Sequence, residues 1–202
     1  MRPGDTAPTV DVWVFRGPDL DSTDVVERVL RTCPGPDGRP PAHDRDAYGR
    51  RTIVDRDELS LSTSHTDGVV AVAIGRHCRA GIDVETVRER GVLRLPDHVL
   101  TRRERHQLSC VDDALRLTTF LAYWTRKEAL LKAAGVGLAV EPNLIELPAV
   151  GSKGVIAVAD DLGPAERWFV TNIDVRGCVA AVAADVPSPS LRCQGPDPCR
   201  GH

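Results

Sequence analysis

Aromatic side chains are nearly missing from this chain, with three Phe, two Tyr and three Trp among 202 residues. Val, Leu and Ala must therefore fill the core, and a 42% hydrophobic composition supplies enough of them for a globular protein. Long apolar runs are missing too. No segment approaches the roughly 20 apolar residues needed to cross a bilayer. The start, Met1-Arg2-Pro3-Gly4-Asp5, lacks the apolar stretch of a secretory signal. The expectation is a cytoplasmic protein with no membrane partner. Neither sign of charge dominates. A formal net charge of −3 argues against bulk attraction to nucleic acid.

The cysteines at 33, 78, 110, 178, 193 and 199 form no CxxC pair and keep no regular spacing. A disulfide framework is not expected from them. Cys193, Cys199 and His202 have ligand types that suit zinc, but they stand in a tail rich in Pro and Gly. Residues 187–202 are expected to be disordered, because such a composition buries too little to order itself.

What is present falls into short segments. Residues 9–15 alternate, with Val10, Val12 and Val14 on one side and Asp11, Trp13 and Phe15 on the other, which is a strand pattern. Residues 24–31 suit a short helix with Val25, Val26, Val29 and Leu30 as its apolar stripe. Residues 33–46 read as loop. Residues 60–64 alternate again, 68–74 form an apolar strand, and another begins at 81. Thr101 and Glu104 spell a capping box. A long helix is expected over 115–134, free of Pro and Gly and stopped by Gly135. Strands follow near 154–158, 168–175 and 177–184. The run from Gly68 to Ala73 resembles the run from Gly177 to Ala183, which is what two duplicated α+β halves would leave behind.

Three groups of residues carry chemistry. In GIDVE at 81–85, Asp83 and Glu85 share one strand face while Ile82 and Val84 share the other. Two neighbouring carboxylates suit either a solvated surface or a hard cation such as magnesium. On the long helix Trp124, Glu128 and Lys132 stack at four-residue spacing. That column is an ordinary Glu–Lys support unless it faces inward, where Glu128 would need a charge partner. Ser64-His65 ends an alternating strand, and both side chains carry groups that can donate to a phosphate. Together the three carboxylates, the lysine and the Ser-His pair describe metal-assisted attack on a pyrophosphate.

The same residues resemble a known family. GIDVE, then W-x-x-KEA-x-x-K-A-x-G-x-GL over 124–138, is similar to the phosphopantetheinyl transferases. Gly49-Arg50 and Ser64-His65 match, in order, two further steps of the longer, two-lobed type typified by the surfactin-synthetase activator. The likeness covers residues 47–138 well and 154–184 loosely. The proline expected after Gly49-Arg50 is Arg51, and the N-terminal half lacks the long Arg-rich helical stretch usual for that type. Arg28, Arg31 and Arg39 are candidates to replace it.

The resemblance implies an α+β fold of two similar, pseudo-duplicated lobes. Each would be a small antiparallel sheet on a long helix, with the active site in the cleft between them. The lobes would span residues 1–79 and 80–186. Because one chain makes the whole cleft, a monomer suffices. The implied activity is transfer of the 4′-phosphopantetheine group from coenzyme A to a serine of an apo carrier protein, releasing 3′,5′-ADP. Acyl, polyketide and peptidyl carriers all remain open, and secondary-metabolite synthesis is one setting.

In the implied roles Asp83, Glu85 and Glu128 hold Mg2+. Arg50, Ser64, His65, Lys127 and Lys132 contact coenzyme A. Glu128 and Lys132 take part in catalysis. Arg102, Arg103 and Arg105 offer a basic surface to an acidic carrier. The alternatives are a non-catalytic protein that binds coenzyme A or a carrier, and another magnesium-dependent phosphotransferase.

Overall fold

The computed structural model describes residues 7–46, 49–87, 96–196 and 200–201. It is a mixed α+β fold. The first sheet has the strand order β4-β5-β1-β9 and the second β10-β7-β8-β6. Their members are β1 (Thr9–Arg16), β4 (Leu59–Thr66), β5 (Val69–Arg76) and β9 (Ser190–Gln194) in the first, and β6 (Ala80–Thr86), β7 (Phe169–Val175), β8 (Cys178–Ala184) and β10 (Arg200–Gly201) in the second. A separate ribbon pairs β2 (His43–Arg45) with β3 (Arg51–Ile53).

Both sheets repeat one plan. A first strand, β1 or β6, is followed by a helix and then by an antiparallel hairpin whose second strand returns beside it. The two hairpins turn at Gly68 (φ 64°) and Gly177 (φ 68°), a conformation that suits glycine. The two similar Gly/Val/Ala runs of the sequence are thus β5 and β8, which hold matching central places.

The helices are α1 (Ser22–Leu30), α2 (Pro96–Val99), α3 (Arg102–Ser109) and α4 (Asp113–Ala134). Among the described residues no helix is long and apolar enough to cross a membrane. Val25, Val26, Val29 and Leu30 of α1 pack with Trp13, Phe15, Val70, Val72 and Ile74 on the outer face of the first sheet. Val10, Val12 and Val14 meet Ile82, Val84, Ala180 and Val182 between the sheets. Phe120, Leu121, Leu130 and Leu131 of α4 pack with Val170, Val179 and Ala181 on the far face of the second sheet. Both faces of β1 are covered, so Trp13 and Phe15 are buried, as are the valines opposite them.

Four expectations need correction. The short helix read at 24–31 is α1, so the long helix that the resemblance implies for the first half is absent among the described residues: α1 has nine residues, begun by Asp21, whose side chain accepts from Thr23 and Asp24 N–H, and followed closely by Pro34. The loop at 33–46 includes β2. No strand spans 154–158, where Ala157 makes a single bridge to Glu146.

The tail is not structureless either. Ser190–Gln194 runs parallel to β1, with Leu191 and Cys193 turned onto the apolar layer between the sheets. An open strand edge supplies ordering that local composition does not reveal. Cys193 is disulfide-bonded, whereas Cys33, Cys78, Cys110 and Cys178 are free. Cys199 and His202, the other zinc candidates, lie outside the described residues.

Candidate active site

The site begins with a missing side chain. A Cβ on Gly81 would lie 1.9 Å from Ala129 O and 2.6 Å from Ala133 N, so β6 rests directly on the backbone of α4. Only glycine permits that approach. It brings Asp83 and Glu85, on the α4 side of β6, against the column of Trp124, Glu128 and Lys132. Ile82 and Val84 point the other way, into the layer between the sheets.

Lys132 Nζ donates to Asp83 Oδ1 at 2.7 Å, and Ser64 Oγ donates to the same oxygen at 2.8 Å. Trp124 Nε1 donates to Glu85 Oε1 at 3.3 Å. Asp83 is only 4% exposed, and its Oδ2 is buried with no hydrogen-bond partner. An orphaned carboxylate oxygen is costly in a dry site unless a cation or proton faces it. Burial and then the charge of Asp83 raise the Glu85 carboxyl above its ordinary value, against the pull of Trp124 and Lys132. Burial raises Glu128 in the same way, followed by Asp83, while Lys132 opposes. Three acidic groups therefore share one low-dielectric place with one lysine.

Among the described residues no group of three or more His, Cys, Asp or Glu side chains is gathered tightly enough to hold a metal ion as it stands. The donor chemistry nevertheless fits a hard divalent cation. The acids are all oxygen donors, one oxygen is unpartnered, and the charge of Asp83 raises the proton affinity of both Glu85 and Glu128.

The remaining phosphate-binding candidates divide. Arg50 sits at the C-terminal end of α4, with Nη1 3.4 Å from Lys132 O and Nε 3.1 Å from Asp46 Oδ2. Its half-exposed guanidinium thus borders the site. Ser64 and His65 do not share a face of β4. Neighbouring residues of a strand face opposite ways, so Ser64 is buried toward β6 while His65 is exposed and lines a cavity of about 230 Å3 with Leu20, Asp21, Ser22 and Thr66.

Lys127 contradicts the expected contact with coenzyme A. It is fully buried, and Nζ reaches Glu104 Oε2 (2.5 Å), Val99 O (2.7 Å) and Pro142 O (3.1 Å). Those acceptors can take all three of its N–H groups. Burial lowers its ammonium pKa to about 8, with Glu104 opposing the fall.

Sequence reasoning underrated two features. Glu104 completes the capping box as expected, but it also receives Lys127 and, through Oε1, Leu147 N–H at 2.8 Å. It therefore ties α3, α4 and the following loop together. Arg51, standing where a proline was expected, is buried and donates to Thr23 Oγ1 at 2.7 Å, anchoring β3 to α1.

Comparison with known proteins follows the same residues. The family model of the 4'-phosphopantetheinyl transferase superfamily matches residues 79–183, which hold β6, α4 and the second sheet's central hairpin. The 4'-phosphopantetheinyl transferase HetI of Nostoc sp. is 32% identical over 147 residues, covering 69% of this chain and 59% of its own length. The chain thus spans about three-fifths of that relative. The crystal structure of holo-ACP-synthase from Plasmodium yoelii aligns at 21% identity and a TM-score of 0.41, over 54% of this chain and 94% of that one.

Proposed function

We propose that this chain, which belongs to the 4′-phosphopantetheinyl transferase superfamily, moves the 4′-phosphopantetheine group of coenzyme A onto a serine hydroxyl of an apo carrier protein. In the reaction the serine oxygen bonds to the β-phosphorus of coenzyme A. The bond from that phosphorus to the bridging oxygen breaks, and 3′,5′-ADP departs with the bonding electrons. Asp83, Glu85 and Glu128 would hold Mg2+. When bound, the ion would neutralise charge on the pyrophosphate and orient it.

The protein's own groups do the rest. Lys132 places a positive charge where negative charge builds on the leaving group. Arg50, at the rim, is set to pair with an outer phosphate. Glu128, its proton affinity raised by burial, is suited to receive the serine proton. Trp124 fixes Glu85 by its indole N–H.

The single observation that carries this reading is the buried, unpartnered Oδ2 of Asp83, on a carboxylate whose Oδ1 already holds Lys132 and whose charge acts on Glu85 and Glu128. Lone surface acids would leave no such atom. The carrier, being acidic, would approach the basic α3 face of Arg102, Arg103 and Arg105, beside a hollow lined by Leu108, Ser109 and Arg116. A monomer is enough, because Ser64, Asp83 and Glu128 come from one chain.

The test is to incubate the protein with coenzyme A, Mg2+ and a panel of apo carriers and to weigh the carriers. A gain of one phosphopantetheine group, lost with chelator, supports the reaction. Coenzyme A binding without any gain on any carrier would favour a non-catalytic binder instead.

A further inference from the structure

β6 is the last strand of its sheet, so every second N–H along it lacks a strand partner. Hydroxyls of β4 fill those places. Ser60 Oγ accepts from Ala80 N–H (2.9 Å), Ser62 Oγ from Ile82 (3.1 Å), Ser64 Oγ from Val84 (3.3 Å) and Thr66 Oγ1 from Thr86 (3.4 Å). The offset is constant at twenty residues, so the row is a ladder made by side chains and joins the edges of the two sheets.

One rung differs from its neighbours in where its proton goes. Ser60 donates to Cys78 O at 2.9 Å, and Thr66 meets the Thr86 hydroxyl at 3.2 Å. Ser64 donates to Asp83 Oδ1. Because its oxygen already accepts from Val84 N–H, its hydroxyl is oriented and its proton is directed at the carboxylate. Ser64 and Lys132 together saturate Oδ1. Only Oδ2 is left without a partner.

We propose that Ser64 is a positioning residue for Asp83, turning that carboxylate so that it offers a single oxygen to the cation, and that it is not a phosphate contact. This inference rests on the reading of Asp83, Glu85 and Glu128 as cation ligands. Ser64 is 7% exposed with both hydroxyl functions engaged, which leaves it little capacity for a phosphate. Groups that orient a metal's ligands typically change its affinity 10–100-fold when removed.

The experiment compares Ser64→Ala with Ser62→Ala, which loses the same kind of rung one step away, and with Ser64→Thr, which keeps the hydroxyl. Mn2+ is titrated in the presence of coenzyme A and free ion is read by electron paramagnetic resonance. Coenzyme A affinity is measured separately in chelator, and folding is checked by thermal melting. Ser64→Ala should weaken Mn2+ by about tenfold and leave coenzyme A affinity unchanged. Ser62→Ala should lower the melting temperature without moving Mn2+ affinity, and Ser64→Thr should restore it.

Equal Mn2+ affinity in Ser64→Ala and wild type would overturn the role of Ser64 while leaving the cation site intact. So would a loss confined to coenzyme A. Failure of the wild type itself to bind Mn2+ would overturn the cation reading, and this inference with it.

Discussion

Lys127 Nζ and Glu104 Oε2 lie 2.5 Å apart with both side chains wholly out of solvent. The pair stands one residue from Glu128 and fixes α4 against α3 and the loop at Leu147. Removing one partner strands the other charge in a dry place. Lys127→Met should therefore destabilise the fold by about 3–5 kcal/mol, read by urea denaturation. Pairing it with Glu104→Leu should recover part of that loss. A Lys127→Met protein of normal stability but poor coenzyme A affinity would restore the phosphate role that the structure takes away.

Gly81→Ala tests the contact that assembles the site. The added methyl would meet the backbone of Ala129 and Ala133, which cannot swing aside. A loss of about 3 kcal/mol is expected, as for a strongly overpacked core, together with loss of transfer activity. Urea denaturation and a carrier-loading assay measure the two effects. Gly177→Ala, at a hairpin turn with open space around it, should cost only its backbone strain.

Cation affinity should depend on pH with a definite sign. Glu85 and Glu128 both have raised proton affinities in the fold. Without cation, stability from these groups is present at low pH and lost as pH rises through their raised values, because the folded state then holds more protons than the unfolded chain. Cation binding needs the ionised forms, so Mn2+ affinity should fall as pH drops from neutral toward about 5. Glu128→Gln removes one of the repelling charges. It should stabilise the cation-free protein by about 1 kcal/mol and flatten the slope of Mn2+ affinity against pH. Titrations at several pH values, beside melting curves in chelator, give both readings.

Charge reversal on α3 tests the carrier surface. Arg102 is exposed, whereas Arg103 pairs with Glu146 and Arg105 with Asp97 and Leu100 O. Arg102→Glu should raise KM for an acidic carrier several-fold at low salt and much less at high salt, with kcat held. Steady-state kinetics at two ionic strengths would show it. An unchanged KM at low salt would clear this face of a role.

Much of the site was legible because periodicity is local. Period two put Asp83 and Glu85 on one side of β6, and spacing of four put Trp124, Glu128 and Lys132 on one side of α4. The same rules, applied strictly, would have separated Ser64 from His65 and moved Lys127 about 100° round the helix from Glu128. The regular Ser60, Ser62, Ser64, Thr66 pattern was also visible, but its partners on β6 were not. What could not be read was distant pairing. The Lys127–Glu104 contact joins residues that propensity treats independently. β9 forms because the edge of β1 is open, a fact set by the arrangement of the whole chain. The capping box at Thr101 is visible in the sequence, yet it shows only one of the three tasks of Glu104.

The most direct measurement is the intact mass of an apo carrier after incubation with coenzyme A and either wild type or Glu128→Gln, each with Mg2+ and with chelator. The expected result is one added phosphopantetheine group with wild type and Mg2+, none with chelator, and loading slowed about a hundredfold by Glu128→Gln. Loading at the wild-type rate by Glu128→Gln, or unimpeded loading in chelator, would contradict the role given to the carboxylates at the junction of β6 and α4.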